Sequence, residues 1–343
     1  GGSATALKVD ANSTLIVDKD TSYVLGGKND LVVAEGATVQ ISAGYFKKPV
    51  QQAWCAEGYV PTDKLENGYY SVMEDPANGM AAVINGPYYA TLQEAIAAAA
   101  TGDTITVLAD IAVDTSAVVA NSSGYAAIYN IAEKDIIIDL NGKKIEATVN
   151  AADLESYKDG ILLGVFCMDT NGKLTLTGEG TVTANLVDGP EDPTASKLYS
   201  LLVAYGTGSE LVVENGTFHA NSVSSALVYS QYDEIITING GTYTLGNLGK
   251  GRNGSPWLFN AKGQNTQNIL VNGGTFSADI QHQYYPFEVQ MPRELALKEA
   301  DGLFTVVPAV AYVNEQEWSS KWYTNYVGYA TVEEAEAAVE PIK

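Results

Sequence analysis

The chain has 343 residues, enough for one large domain or two to three modest ones. Its 19 basic side chains face 41 acidic ones, a balance that repels phosphate backbones and anionic lipid and argues against nucleic-acid or membrane-surface partners. No apolar run approaches the roughly 20 residues of a membrane span, so no membrane insertion is expected.

Taken in order, residues 10–46 carry short apolar runs separated by turn residues: Leu15-Ile-Val, Tyr23-Val-Leu, Leu31-Val-Val and Val39-Gln-Ile-Ser-Ala-Gly-Tyr-Phe. A short helix is expected over residues 50–56. A hairpin closed at Asn67-Gly68 should follow, Asn-Gly being a strong two-residue hairpin signal. Next comes Tyr89-Ala-Thr-Leu-Gln-Glu-Ala-Ile-Ala-Ala, in which Thr91 and Glu94 form a capping box. Leu92, Ala95, Ile96 and Ala99 share one helix face, and Gly102 ends the helix.

From residue 126 to 276 the chain repeats itself. Leu174-Thr-Leu-Thr-Gly-Glu-Gly-Thr-Val, Leu211-Val-Val-Glu-Asn-Gly-Thr-Phe, Ile236-Thr-Ile-Asn-Gly-Gly-Thr-Tyr and Ile269-Leu-Val-Asn-Gly-Gly-Thr-Phe are copies of one pattern, with Ile136-Ile-Ile-Asp-Leu-Asn-Gly a looser one. Ile128, Phe166, Val203 and Val228 each stand eight residues ahead of the copy that follows. Each unit reads as three short strands, which bury a continuous apolar face only when units stack. An antiparallel sandwich also gives short strands and Gly-rich turns, but constant spacing favours stacked rungs. That spacing predicts Ile136, Leu174, Leu211 and Ile236 in one column.

After residue 276 the start of the chain recurs. Asp301-Gly302 before Leu303-Phe-Thr-Val matches Asn67-Gly68 before Tyr69-Tyr-Ser-Val, and Tyr329-Ala-Thr-Val-Glu-Glu-Ala-Glu-Ala-Ala matches the helix at 89–98. Three parts are expected: the end of one module with its cap (1–75), a complete module (76–308) and the opening helix segment of a third (309–343). Trp318 and Trp322, beside Tyr323 and Tyr326, favour packing of this last segment on the preceding cap.

The repeats resemble the right-handed parallel β-helix of the pectin-lyase-like superfamily, and more narrowly the Asn-Gly-Gly-Thr-Phe modules of secreted and surface bacterial proteins. The resemblance implies an all-β fold, a right-handed parallel β-helix with an N-terminal helical plug and a C-terminal hairpin cap. It also implies a secreted or cell-surface location. The opening Gly1-Gly2-Ser3 reads as an engineered junction, so the lack of a leader peptide says nothing about compartment. Cys55 and Cys167 read as two buried thiols, with a disulfide the alternative in an oxidising compartment.

Extra residues fall after the third strand of a unit, at 150–160, 186–197 and 245–256, and loops at one corner of successive units line one side. The first two are acidic, and the third holds Lys250, Arg252 and Asn253 ahead of Trp257. These four residues, with Tyr284 and Tyr285, are the candidate ligand-binding set for a glycan or an extracellular protein; the alternative is a set of solvated corners. Asp188, Glu191 and Asp192 are the candidate calcium ligands, although Pro190 and Pro193 interrupt them and no EF-hand pattern occurs; no other cofactor is expected.

Superfamily enzymes use Arg-rich or paired-Asp motifs, and neither is present. Glu179 and Glu214 stand near equivalent rung positions as a conceivable hydrolase pair, and His219 reads as a lone, outward histidine. The expectation is a non-catalytic spacer or adhesin-type module. The alternative is a polysaccharide-active lyase or glycoside hydrolase, with Arg252 or Lys250 as base.

Overall fold

The computed structural model describes residues 5–18, 24–25, 29–187, 196–231, 234–251, 254–262, 268–281, 289–317 and 323–339. Across them the chain is all-β, with 33 strands and two α-helices. It divides into two compact units, 1–80 and 81–343, each described by itself.

In the larger unit the chain visits three parallel ladders in a fixed cycle. The first ladder holds Ala126–Ile131, Leu162–Met168, Leu202–Ala204, Ala226–Ser230 and Trp257–Ala261. The second holds Thr104–Val107, Asp135–Asp139, Lys173–Thr177, Glu210–Val213, Ile235–Ile238 and Ile269–Val271. The third holds Ile111–Val113, Lys143–Asn150, Gly180–Val187, Thr217–Ala220, Thr242–Leu245 and Thr275–Phe276. Every neighbouring pair among these strands is parallel, as Leu174 against Leu211 and Phe218 against Tyr243 illustrate.

The column expected in the second ladder is present: Ile136 pairs with Leu174, Leu174 with Leu211, Leu211 with Ile236 and Ile236 with Ile269. The first ladder differs from the eight-residue count. There Tyr129 pairs with Phe166, Phe166 with Leu202, Leu202 with Val228 and Val228 with Phe259, so Ile128 and Val203 are one place off the column. The corner between these ladders holds a varying number of residues and so transmits no register. Both faces of the first ladder are buried: Tyr129, Phe166, Leu202 and Val228 join the main core, whereas Ala127, Leu163, Cys167, Val203 and Tyr229 form a second cluster. With no alternation of polar and apolar residues, the sequence leaves the phase of these strands open.

The third ladder stacks aromatic rings inside. Phe218 lies 5.2 Å from Tyr243 with 18° between planes, and Tyr243 lies 5.4 Å from Phe276 with 19° between planes. The buried Tyr243 hydroxyl donates to the Gly240 carbonyl at 3.0 Å, which removes the cost of an unpaired polar group.

The Asn-Gly-Gly corners divide two tasks between two glycines. Gly241 and Gly274 take φ of 92° and 116°, a region that L side chains rarely enter. A Cβ on Gly240 would instead meet the Glu214 carbonyl oxygen, and one on Gly273 the Asn239 carbonyl oxygen. Rungs therefore stack closely because the first glycine has no side chain, and they turn because the second has none.

The ends of the stack are closed differently. The helix α1 (Leu92–Ala98) carries both halves of the Thr91–Glu94 capping box, and it buries Leu92, Ala95, Ile96 and, just past its end, Ala99. Lys134 Nζ donates to the carbonyls of Ile96, Ala97 and Ala99 at 2.8, 3.2 and 3.0 Å, satisfying C-terminal acceptors that the helix leaves open. Strand Ala82–Ile84 pairs antiparallel with Thr104–Val107 and so covers that edge of the second ladder. At the far end, hairpin Leu295–Ala300 and Leu303–Pro308 pairs Phe304 with Phe276. A second hairpin, Ala311–Glu317 and Tyr323–Tyr329, lies parallel to the first through Ala296 and Gly328. It leads into α2 (Val332–Ala338). Trp318 and Trp322 lie outside the described residues.

The smaller unit runs through the same cycle twice. Thr5–Val9 pairs with Asn29–Val33, Thr14–Val17 with Thr38–Ile41, and Val24–Leu25 with Tyr45–Phe46, all parallel. Phe46 bridges Tyr70 antiparallel, the counterpart of Phe276 on Phe304. The helix expected over 50–56 is only a 3-10 turn, Gln52–Trp54. Its flanking residues Gln51 and Cys55 are extended, and Cys55 bridges Ile41 as a strand residue would. Cys55 and Cys167 are both free thiols, the first half-buried and the second buried.

Candidate binding surface

The third ladder turns one polar face outward. Alternation along Gly180–Val187, Thr217–Ala220 and Thr242–Leu245 buries Val182, Ala184, Phe218, Ala220, Tyr243 and Leu245. Thr181, Thr183, Thr217, His219, Thr242 and Thr244 are left on the other side. Register then aligns Thr181 with Thr217, Thr217 with Thr242 and Thr242 with Thr275, while Thr183, His219 and Thr244 form the next column.

A hydrogen-bond chain crosses these strands. Asn185 Nδ2 donates to Glu146 Oε1 at 3.3 Å, and Asn221 Nδ2 donates to Asn185 Oδ1 at 2.6 Å. His219 Nε2 stands 3.0 Å from Asn221 Oδ1, and its Nδ1 stands 2.7 Å from Thr244 Oγ1. The carboxylate at one end only accepts, which sets the direction of both amides. Asn221 Oδ1 therefore faces the imidazole as an acceptor, so Nε2 carries a proton, and Nδ1 is hydrogen-bonded to the Thr244 hydroxyl. His219, expected to be alone in solvent, is thus half-buried and held at both nitrogens.

Beside this chain an open groove is lined by Gly142, Glu179, Thr181, Asn215, Thr217 and Thr242. Glu179 belongs to it and Glu214 does not. With Lys143 opposite Gly180 and Thr181 opposite Thr217, the cross-rung partner of Glu179 is Asn215. Glu214 Oε1 instead accepts from Asn239 Nδ2 at 2.9 Å, and Asn239 Oδ1 accepts from Asn272 Nδ2 at 2.9 Å. The two glutamates are one position out of step, and Glu214 is hydrogen-bonded into an asparagine row rather than to Glu179.

The three long insertions share one junction: each leaves the third ladder and enters the first, after Lys143–Asn150, Gly180–Val187 and Thr242–Leu245. The first is partly packed. It buries Ala151 and Leu154, and the Tyr157 hydroxyl donates to the Val118 carbonyl at 3.1 Å. Lys158 Nζ sits 4.4 Å from the Tyr125 ring centre, while Asp153, Glu155 and Asp159 stay exposed. In the third insertion the Gly249 amide donates to the Pro256 carbonyl at 2.9 Å. Lys250 Nζ donates to the Gly246 carbonyl at 2.8 Å, and Trp257, half-buried, begins the next strand opposite Ala226. Arg252, Asn253, Tyr284 and Tyr285 lie outside the described residues, as do Asp188, Glu191 and Asp192.

Two buried groups belong to the packing of the first ladder. Burial pushes the Cys167 thiol up to about 12, so it stays neutral and unreactive. Asp169 is only 1% exposed. Burial alone would raise its carboxyl, but donors from Ser122 and Thr170 hold it below the usual carboxylate value. Ser122 contributes its amide at 2.7 Å and its hydroxyl at 2.6 Å, which pins the turn at 121–125 over the ladder. Among the described residues no three His, Cys, Asp or Glu side chains converge as a metal site, and no helix is long and apolar enough to cross a membrane.

Fold and surface together define an all-β protein of stacked parallel ladders, with an ordered polar strip along the outside of one ladder. No family model, curated protein or solved structure matches the chain.

Proposed function

We propose that the chain is a non-catalytic spacer or adhesin-type module of a secreted or cell-surface protein, built as a right-handed parallel β-helix of the pectin-lyase-like kind. The fixed cycle through three parallel ladders supports that architecture, and parallel crossovers are right-handed in nearly all proteins. The module holds an uncharged glycan on the outer strip of the third ladder. The observation that carries this is the chain from Glu146 through Asn185, Asn221 and His219 to Thr244. It fixes donors and acceptors before any ligand arrives, which lowers the ordering cost of binding. Hydroxyl-rich ligands match such a strip, whereas the excess of acidic side chains disfavours polyuronates.

A second site rests on the half-exposed Trp257 at the loop junction. An aromatic face there, with Lys250, Arg252 and Asn253 in the same insertion and Tyr284 and Tyr285 further along, offers stacking to a sugar or an extracellular protein.

The test is a glycan-array and depolymerisation screen on the intact chain, with the His219→Ala and Trp257→Ala variants beside it. Binding to neutral glycans is expected without bond cleavage, weakened by roughly threefold to tenfold in His219→Ala. If Trp257→Ala alone weakens binding, the site moves to the loop junction. Release of unsaturated or reducing-end products from any polysaccharide replaces the assignment with the lyase or hydrolase alternative.

A further inference from the structure

The polar strip on the third ladder holds two kinds of side chain. His219 and Thr244 are bonded to each other, and their chain runs on through Asn221 and Asn185 to Glu146. Nearer the corner the groups are unspent. The Glu179 carboxylate and the hydroxyls of Thr181, Thr217 and Thr242 have no hydrogen-bond partner among the described residues. Asn215 Oδ1 accepts the Gly216 amide at 2.8 Å, which leaves the Asn215 NH2 as a second unpaired donor group.

These groups line the open groove beside the chain, and they come from successive rungs. Register sets Thr181 against Thr217 and Thr217 against Thr242. Gly142, at the head of strand Lys143–Asn150, carries the groove one rung further. The groove therefore crosses the strands and follows the stack. It holds about 390 Å³, the scale of a small-ligand cleft. Gly142, Gly180 and Gly216 at the corner keep it clear of side chains.

Spacing and chemistry together select an occupant. Neighbouring rungs stand about 4.8 Å apart, so a free hydroxyl recurs at that step. An extended peptide advances about 3.3 Å per residue and faces one way only at every second residue, a period that the rungs do not share. A β-1,4-linked pyranose chain is extended and advances by nearly one rung spacing per ring. Threonine hydroxyls both donate and accept, as sugar hydroxyls do, whereas the Glu179 carboxylate only accepts. A neutral sugar supplies the donors that Glu179 needs; a phosphate or uronate does not. Among the described residues no lysine or arginine lines the groove to balance an anionic polymer.

We infer that this groove binds an extended, neutral β-1,4-linked glycan laid along the stack, one ring to each rung. The inference rests on the glycan-holding strip proposed above and adds the linkage, direction and length of its ligand. Glu179 accepts from adjacent hydroxyls of one ring, Asn215 donates to an oxygen of the next, and the threonine column meets each ring in turn. The bonded chain through His219 stands beside that column and keeps it in place.

Isothermal titration of the full chain with neutral oligosaccharides tests it. β-1,4-linked oligomers of glucose, mannose and xylose are compared from dimer to hexamer, with α-1,4-linked glucose oligomers beside them. At least one β-1,4-linked series should bind more tightly with length and level off near the tetramer. The α-linked oligomers, which coil, should bind roughly tenfold more weakly. Thr217→Val and Glu179→Gln keep the side-chain shape at exposed positions. Each should weaken binding of the β-linked tetramer by roughly threefold to tenfold. Thr237→Val, on the outer face of the second ladder, should bind like the parent. Glycan binding that ignores linkage and length, or that both groove variants leave unchanged, overturns this inference alone. Failure of every neutral glycan to bind overturns it together with the glycan-holding strip.

Discussion

Asp169 shows how one buried carboxylate fastens a surface turn. Its oxygens accept the Ser122 amide and hydroxyl and the Thr170 amide, and hydrogen bonds to a charged acceptor contribute about 1.5–3 kcal/mol each when their loss leaves a buried donor unpaired. Its folded-state value lies below the ordinary one, so its stabilisation is complete above the unfolded carboxyl value, near 4, and disappears as pH falls through the folded value. Asp169→Asn is therefore expected to lower unfolding free energy by about 1.5–3 kcal/mol at neutral pH. In urea titrations the gap between parent and variant should shrink steadily below pH ~4. A gap of equal size at pH 7 and at pH 3 would sink the assignment. His219 carries a related lesson. In the sequence it stands alone, because Thr244 on one side, and Asn185 and Glu146 behind Asn221 on the other, come within reach only once the strands are in register. The recurring Thr-x-Thr-Ala-Asn and Thr-x-His-Ala-Asn at 181–185 and 217–221 was the available signal.

At the level of elements, the helix α1 is the clearest case of local sequence dictating place. Thr91 and Glu94 start it, and its face of Leu92, Ala95 and Ile96 has one apolar surface to meet, the open end of the stack. Ile96→Asp puts an unpaired charge at a site that is 5% exposed, with an expected cost on the order of 3–5 kcal/mol. Thermal melts check this: a variant melting within a degree or two of the parent would mean that the helix does not cover the core. The second ladder was equally legible, since its inward residues alternate with Asp135, Thr175 and Thr237 and end at a glycine corner. The first ladder was not. Apolar residues on both its faces erase the alternation, and corners of unequal length break the count from the neighbouring strand. The 3-10 turn at Gln52–Trp54 was overread for a related reason: a short apolar cluster suits a helix turn and a bridging strand alike.

On the scale of the whole molecule, stability is shared among near-identical contacts between successive rungs, so the larger unit is governed by nearest neighbours. The register has a consequence for how such a chain changes length. Leu211 pairs with Ile236, Thr217 with Thr242 and Phe218 with Tyr243 at one common offset. Removing residues 211–235 therefore sets Ile236 where Leu211 stood, above Leu174, and Tyr243 where Phe218 stood, above Val182. Inheritance by slippage or recombination then acts in whole rungs: a gain or loss of one full repeat leaves every ladder in phase, whereas a loss of part of one shifts inward side chains to the outside. The chain lacking 211–235 should keep a parallel-strand circular-dichroism spectrum and a single cooperative melt. A cut of half that length at the same place should abolish both, which makes the rung the unit in which this protein is measured out.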